Sequence, residues 1–470
     1  MWRTSFGSRA VLFASVFGLA GCSTTISNYE KPTVAMPSAY SSAETLMSGA
    51  RTGSGALPWW SRFESAELDR LVSLGQTRNS ELRIATIQLA QARIRAEQVR
   101  AGTGPLVLAP LRIIAQGGGG TVDTQQSSQI GLQGSYRLDI WGEQSATVEN
   151  ADQQVWRVAY ERDNMHRNMV GGIVSTYIAY LVAGDSLQLA REGEAVAREL
   201  LQAVEKRMTL GDATQDELEQ QNAALALQQA AVASLHNQRE DIKSILSRLT
   251  GGLVADLNLT GEGLDSLVEP SVQTGMPSTL LLQRPDIRVV EARMRSANAN
   301  IEVARARLLP PLDLSVQVGY SGLALAQIFQ PQSLFWNAAS SLALTIFDGG
   351  RREADKLLAE SAYEEMVETY RQTIYQALRE VESALVSITT TRQKLAAQQR
   401  NARAMLSMFR VASDAYALGA ADVSSLHQAR RNYQRSADDL VRTKAELLRA
   451  HASLALALGT DSDMATPAGR

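Results

Sequence analysis

A chain of 470 residues with one cysteine and four histidines is poorly equipped for most site chemistry. Disulfides, thiolate zinc sites and Cys-x-x-Cys redox pairs all need partners that Cys22 lacks. His166, His236, His427 and His451 stand singly, without metal-ligand spacing, and read as solvated or structural. The glycine run Gly117–Gly120 is followed by neither Lys-Ser/Thr nor a helix, which removes a phosphate loop. Basic clusters are missing and the formal net charge is −3, so nucleic acid is not a partner. With no catalytic constellation, the chain reads as a non-enzyme without metal or organic cofactor. Two segments are ruled out as membrane helices: Val11–Leu19 is too short, and Arg379, Glu380, Glu382, Arg392 and Lys394 interrupt the most regular segment.

What the chain does have is periodicity. Val367, Ile374, Val381, Ile388, Leu395, Ala402, Phe409 and Tyr416 recur every seventh residue. After Leu418-Gly419 the pattern resumes at Leu426, Tyr433, Leu440, Leu447 and Leu454. That is a coiled-coil seam folded back at a glycine turn. The outgoing arm, Gly349 to Leu418, would run roughly 100 Å at 1.5 Å per residue. A matching hairpin upstream starts at Trp141-Gly142, turns at Leu210-Gly211 and returns through Leu218, Leu225, Val232, Leu235, Ile242 and Leu249. Gly211 and Gly419 lie 208 positions apart, and Gly142 and Gly349 lie 207 apart, so one long unit is repeated in tandem.

Each repeat also carries strand-like alternation. Leu312, Leu314, Val316, Val318 and Tyr320 alternate with Asp313, Ser315, Gln317 and Gly319. Ile130, Leu132, Tyr136, Leu138 and Ile140 alternate with polar or small residues. Weaker partner strands are expected at Leu111–Gly117 and Ala338–Phe347, with loops at Gly117–Gly120 and Gln330–Ser333. Pro58-Trp59-Trp60 with Phe63, Leu68 and Leu71 starts a short amphipathic helix, the tryptophan pair reading as packing. Asn79 or Ser80 caps a longer helix whose apolar positions Leu82, Ile84, Ile87, Leu89, Ala92 and Ile94 carry it to about Arg100. The expected fold class is mainly α with a small β part. Its expected parts are a signal peptide over 1–21, a tail over 22–56, a first repeat over 57–250, a connector over 251–279, a second repeat over 280–459 and a C-terminal tail over 460–470.

Arg3, Arg9, the apolar Val11–Leu19 and the small-residue end Leu19-Ala20-Gly21-Cys22 form an export signal. Leu-Ala-Gly-Cys resembles the bacterial lipoprotein processing box, which implies a mature chain beginning at an acylated Cys22. The alternative is an ordinary signal peptide with an incidental cysteine. Each buried acyl methylene is worth about 0.8 kcal/mol, so several chains anchor firmly. Ser23 after the cysteine resembles lipoproteins sorted to the outer membrane.

Four amphipathic strands cannot close a barrel, and unpaired edges are costly in lipid and aggregation-prone in water. Two copies would give eight strands, filled by their own side chains; three would give about twelve, wide enough for an aqueous lumen. A water-soluble sandwich sheet is the bland alternative. Three functions stay open: a passive export duct, a lipid-tethered periplasmic coiled-coil scaffold without channel activity, and an enzyme with an unrecognised site. The alternating strands favour the first.

The run Leu281-Leu282-Gln283-Arg284-Pro285-Asp286-Ile287-Arg288, with Trp59-Trp60-x-x-Phe63, Phe347-Asp348-Gly349-Gly350-Arg351 and the duplicated layout, resembles the TolC-like outer membrane factors. The resemblance is to their lipid-anchored, NodT- and OprM-like efflux branch. It implies a homotrimer whose twelve strands form one barrel in outer membrane lipid, continuous with a periplasmic tunnel of packed helices. It also implies a periplasmic adaptor meeting the tips Leu210, Gly211, Leu418 and Gly419, and an inner-membrane pump of the resistance-nodulation-division type. Family members close the tunnel at its periplasmic end with tyrosine, acidic and arginine contacts. Tyr416 and Arg431 match that set, Gln428 stands where many members have aspartate, and Asp216 lies near the matching position of the first repeat. The same residues have local readings. Arg284-Pro285-Asp286 starts a helix, Tyr416 ends the heptad ladder, and Thr214-x-x-Glu217 is a capping box.

Overall fold

In the computed structural model the described residues are 29, 31–34, 40, 58–117, 125–260, 263–271, 284–323, 328 and 330–459. The export signal, Cys22, most of the 22–56 tail, Gly118–Gly120, Met276–Gln283 and the 460–470 tail lie outside them. The chain forms a 3-10 turn at Trp59–Phe63, α1 (Ala66–Arg78), α2 (Ser80–Gly102), β1 (Leu106–Leu108), β2 (Leu111–Gln116) and β3 (Gln125–Leu138). Next come α3 (Glu143–Thr209), α4 (Gln215–Thr250), α5 (Pro285–Ala306), β4 (Leu312–Gly322), β5 (Leu334–Leu342), α6 (Arg351–Ala417) and α7 (Val423–Leu458). Their described residues fall into two compact units, one drawn from 1–34, 89–158 and 289–371, the other from 35–88, 159–288 and 372–470.

The tandem repeat survives as matched lengths: α3 and α6 have 67 residues each, α4 and α7 have 36 each. Both turns use left-handed glycines, with φ 81° at Gly211 and 71° at Gly419, a region that costs other residues roughly 1–2 kcal/mol. The return helices then start on side-chain caps, Thr214 accepting from Glu217 N–H and Asp422 from Ser425 N–H. Ile374, Val381 and Ile388 are buried on α6, and Leu426, Leu447 and Leu454 on α7, so the heptad ladder is a packed seam.

The main core lies in the second unit and gathers Trp59, Phe63, Leu71, Ile173, Tyr177, Leu181, Leu246, Leu257, Leu267 and Leu448. Trp59 stands edge-on to Trp60 at 6.0 Å and to Phe63 at 6.4 Å, the arrangement ring quadrupoles prefer. α3 holds a stretch apolar enough to cross a bilayer, but 61% of that stretch is buried inside this chain, as in a core helix.

Two helical expectations change. The segment from Trp59 is not one helix: Glu64 turns left-handed at φ 53°, and Ser65 restarts the chain by capping α1 through Leu68 N–H. In α2 the buried stripe is Ala85, Leu89, Ala92 and Ala96, while Ile84, Ile87 and Ile94 are exposed. The small alanines face the interior and the isoleucines turn outward.

The sheet lies in the first unit. β1 and β2 pair with β3 in one continuous register, Leu106↔Ser135 to Gln116↔Gln125. They are one strand interrupted at Ala109-Pro110, where proline has no N–H to give. The sheet is therefore four strands wide and antiparallel, ordered β1/β2, β3, β4, β5. β3 starts earlier than its alternation because Gln125–Gln129 offers no apolar contrast. It stops at Leu138, short of Ile140, because Asp139 turns to accept from Gln144 N–H (2.9 Å) and Ser145 N–H (2.8 Å) at the start of α3. β5 covers Leu334–Leu342 instead of Ala338–Phe347. Beyond it Asp348 accepts from Gly350 N–H at 3.0 Å and turns the chain into α6.

Candidate functional site

Strand pairing sorts the side chains of the sheet onto two faces. Ile130, Leu132, Tyr136 and Leu138 of β3 stand opposite Tyr320, Val318, Leu314 and Leu312 of β4, which in turn oppose Leu334, Trp336, Ser340 and Leu342 of β5. Val107, Leu111 and Ile113 extend this apolar face onto the first strand. It is bare: Leu111 is 60% exposed, Val316 55% and Trp336 78%. The other face carries Gln129, Gln133, Ser135 and Arg137 against Ser321, Gln317, Ser315 and Asp313, with Asn337 and Ser341 beyond. Arg137 and Asp313 pair across the ladder at 2.8 Å. The 11 residues of β4, tilted by about 40°, would cover roughly 25–30 Å, the thickness of a bilayer's hydrocarbon core. Among the described residues, β1/β2 and β5 each keep one unpaired edge.

The hairpin tips lie in the second unit. Leu210 and Leu418 project beside their glycines, each more than three-quarters exposed. Four residues before Gly211, Arg207 reaches three groups. Its Nη1 donates to the Tyr416 hydroxyl at 3.1 Å, and its Nη2 donates to the Asp212 carbonyl at 2.8 Å and lies 3.7 Å from the Glu217 carboxylate. Tyr416 thus ties the end of α6 to the end of α3. Gln428, Arg431 and Asp216 do not join it. Arg431 donates to Gln428 at 2.7 Å, Gln428 donates to Asn432 at 2.9 Å, and Asp216 accepts from Gln220 at 2.8 Å. One turn inward, Gln221 bonds His427 at 2.8 Å, and burial, aided by Arg430 and Arg431, pushes the His427 pKa down. Sequence reasoning missed Arg207, because a basic residue in a last helical turn is expected from the macrodipole alone.

Two ionic clusters hold the second unit together. Arg284, 1% exposed, donates to both Asp286 carboxylate oxygens (3.0 and 2.6 Å), to Glu380 (2.8 Å) and to the Ala457 carbonyl (2.9 Å). Burial opposes the charge on Asp286, but Arg284, together with Arg167 and the Ile287 N–H, holds the carboxyl below its usual range. The Arg-Pro-Asp run is both a helix start and an ion knot tying the head of α5 to α6 and α7. In the connector, Glu269 accepts from Arg392 at 2.8 Å and stands 3.0 Å from Nε2 of buried His451. The His451 contact, against the effect of burial and with help from Arg392, lowers the Glu269 pKa. Among the described residues no cluster of His, Cys, Asp and Glu could hold a metal.

Duplicated long hairpins joined to an open amphipathic sheet define a class of protein. The chain belongs to the outer membrane efflux protein family, whose profile matches residues 71–252 and 276–460. It is 31% identical over 418 residues to the pyoverdine export outer membrane protein OpmQ of Pseudomonas putida, across 86% of this chain and 88% of that one. It is 26% identical to the probable outer membrane lipoprotein SilC of Salmonella typhimurium, across 91% and 93%. A crystal structure of a membrane protein from Pseudomonas aeruginosa matches with a TM-score of 0.84 at 25% identity, covering 93% of this chain and 100% of that one. The protein is an outer membrane channel component of an efflux system with a TolC-like fold, and members of the family are efflux channels rather than enzymes.

Proposed function

We propose that three copies of this chain close their strands into one twelve-stranded outer membrane barrel, and that their long hairpins wall a periplasmic tunnel. The duct is passive and catalyses no reaction. An inner-membrane pump of the resistance-nodulation-division type supplies the solute through a periplasmic adaptor, and specificity lies with the pump. The observation that carries this reading is the bare apolar face of a sheet four strands wide with both edges open, which needs lipid on one side and further copies at its ends. Outward-facing Ile84, Ile87 and Ile94 on α2, and Leu227 on α4, are apolar surface that neighbouring copies would cover.

Acyl chains on Cys22 tether the mature chain, a reading supported by its similarity to a probable lipoprotein. The projecting leucines and left-handed glycines at Leu210-Gly211 and Leu418-Gly419 suit docking by adaptor hairpins. Closure of the tunnel relies on Tyr416 held by Arg207, with the Gln428–Arg431 pair replacing the carboxylate common in relatives. Detergent-extracted protein should migrate as a heat-labile trimer on unboiled gels and give discrete conductance steps in planar bilayers. A monomer in both lanes together with silent bilayers would leave the scaffold reading standing.

A further inference from the structure

We infer that Arg112 sets the charge preference of the barrel, favouring carboxylate- or phosphate-bearing solutes over cations. The inference rests on the twelve-stranded reading above. Among the described strands the charged residues are Arg112, Arg137 and Asp313. All three lie on the polar face. Arg112 opposes Gln129, Arg137 opposes Asp313, and Gln129 and Arg137 sit on the same side of β3.

Arg137 and Asp313 are joined at 2.8 Å and cancel as seen by an ion in the lumen. Arg112 has a neutral partner, is exposed, and has no acidic residue on its own strand or on β5. Around it on that face stand Gln129, Ser127, Ser321 and Ile114, none of which carries a charge. That uncompensated positive charge on the described strands becomes a ring of three in a trimer. Arginine rings make anion-preferring pores, and low-dielectric walls focus their field. The bland reading is that an edge-strand cation only discourages wrong edge pairing. That role would leave ion selectivity untouched.

The test is the reversal potential of purified trimers in planar bilayers under a KCl gradient, for wild type, Arg112→Lys, Arg112→Gln and Arg112→Glu, each first shown to be a heat-labile trimer. Arg112→Gln should lower the chloride-to-potassium permeability ratio roughly two- to threefold, the scale of a unit charge acting across several ångströms of water. Arg112→Lys should preserve the ratio and Arg112→Glu should lower it further. Equal ratios in all four proteins would overturn the role of Arg112 while leaving the barrel intact. Absence of conductance from every variant would overturn the barrel reading, and this inference with it.

Discussion

The two hairpins share a backbone plan and differ in what they bury. Their arms have equal lengths, yet α7 buries fourteen side chains between Val423 and Leu458, while α4 buries Gln221, Leu246, Ser247 and Thr250. Leu218, Leu225 and Val232, the seam of α4, are only half-buried, and Leu227 is 70% exposed. Helix length is set by backbone hydrogen bonds, caps and turn glycines, which duplication copies intact. Packing depends on every side chain and has diverged. The second return arm packs its seam inside the chain, whereas the first leaves apolar surface exposed.

The sharpest way to break this comparison is a paired truncation at equivalent seam positions. Leu426→Ala removes a side chain that is 1% exposed and should cost about 2–5 kcal/mol in chemical unfolding. Leu218→Ala should cost about 1 kcal/mol or less and weaken trimer recovery more than subunit stability. Equal costs would erase the asymmetry.

The tips differ as well, because Arg207 of the first hairpin holds Tyr416 of the second and has alanine, Ala415, at its own equivalent position. Arg207→Ala and Tyr416→Phe should each raise resting conductance in bilayers, with no further rise in the double variant. Additive effects would show that the two do not act as a pair.

A smaller effect concerns acid. Only the second hairpin is tied to the connector by Glu269, through His451 and Arg392. Because the folded pKa of Glu269 is lowered, its contribution is fully present above the ordinary glutamate value of 4.5 and is lost as pH falls through the lower folded value. The difference in Tm between wild type and Glu269→Gln should therefore shrink below about pH 5. A difference constant with pH would exclude the ionic tie. Smallest are the caps. Thr214→Ala should cost about 1 kcal/mol at any pH. The benefit from the Asp422 carboxylate, whose pKa its Ser425 hydrogen bonds lower, should fade in acid. Amide protection in the first turns of α4 and α7 reads both.

Much of this was legible in the sequence. The heptad seam, the turn glycines and the equal repeats are local and periodic, and they appear where the residues put them. β4 was equally plain because Leu312–Tyr320 alternates without exception, whereas its pairing with β3 across the two repeats left no signal there. β5 was misplaced because Ala338–Leu342 has little contrast, so the exposed apolar tail up to Phe347 looked more strand-like than Leu334–Asn337. The apolar positions of α2 were legible, but not that Ile84, Ile87 and Ile94 face outward, since periodicity reports a stripe without saying whose interior it meets. Arg207 left no trace at all: its role comes from a residue 209 positions away.

At both strand-to-helix joints an aspartate straddles the junction, Asp139 gripping the first amides of α3 and Asp348 those leading into α6. Each long helix is therefore a beam built into its support instead of pivoting on it. Such a beam holds its angle at the wall, so bending of the helix further along leaves the strand register undisturbed.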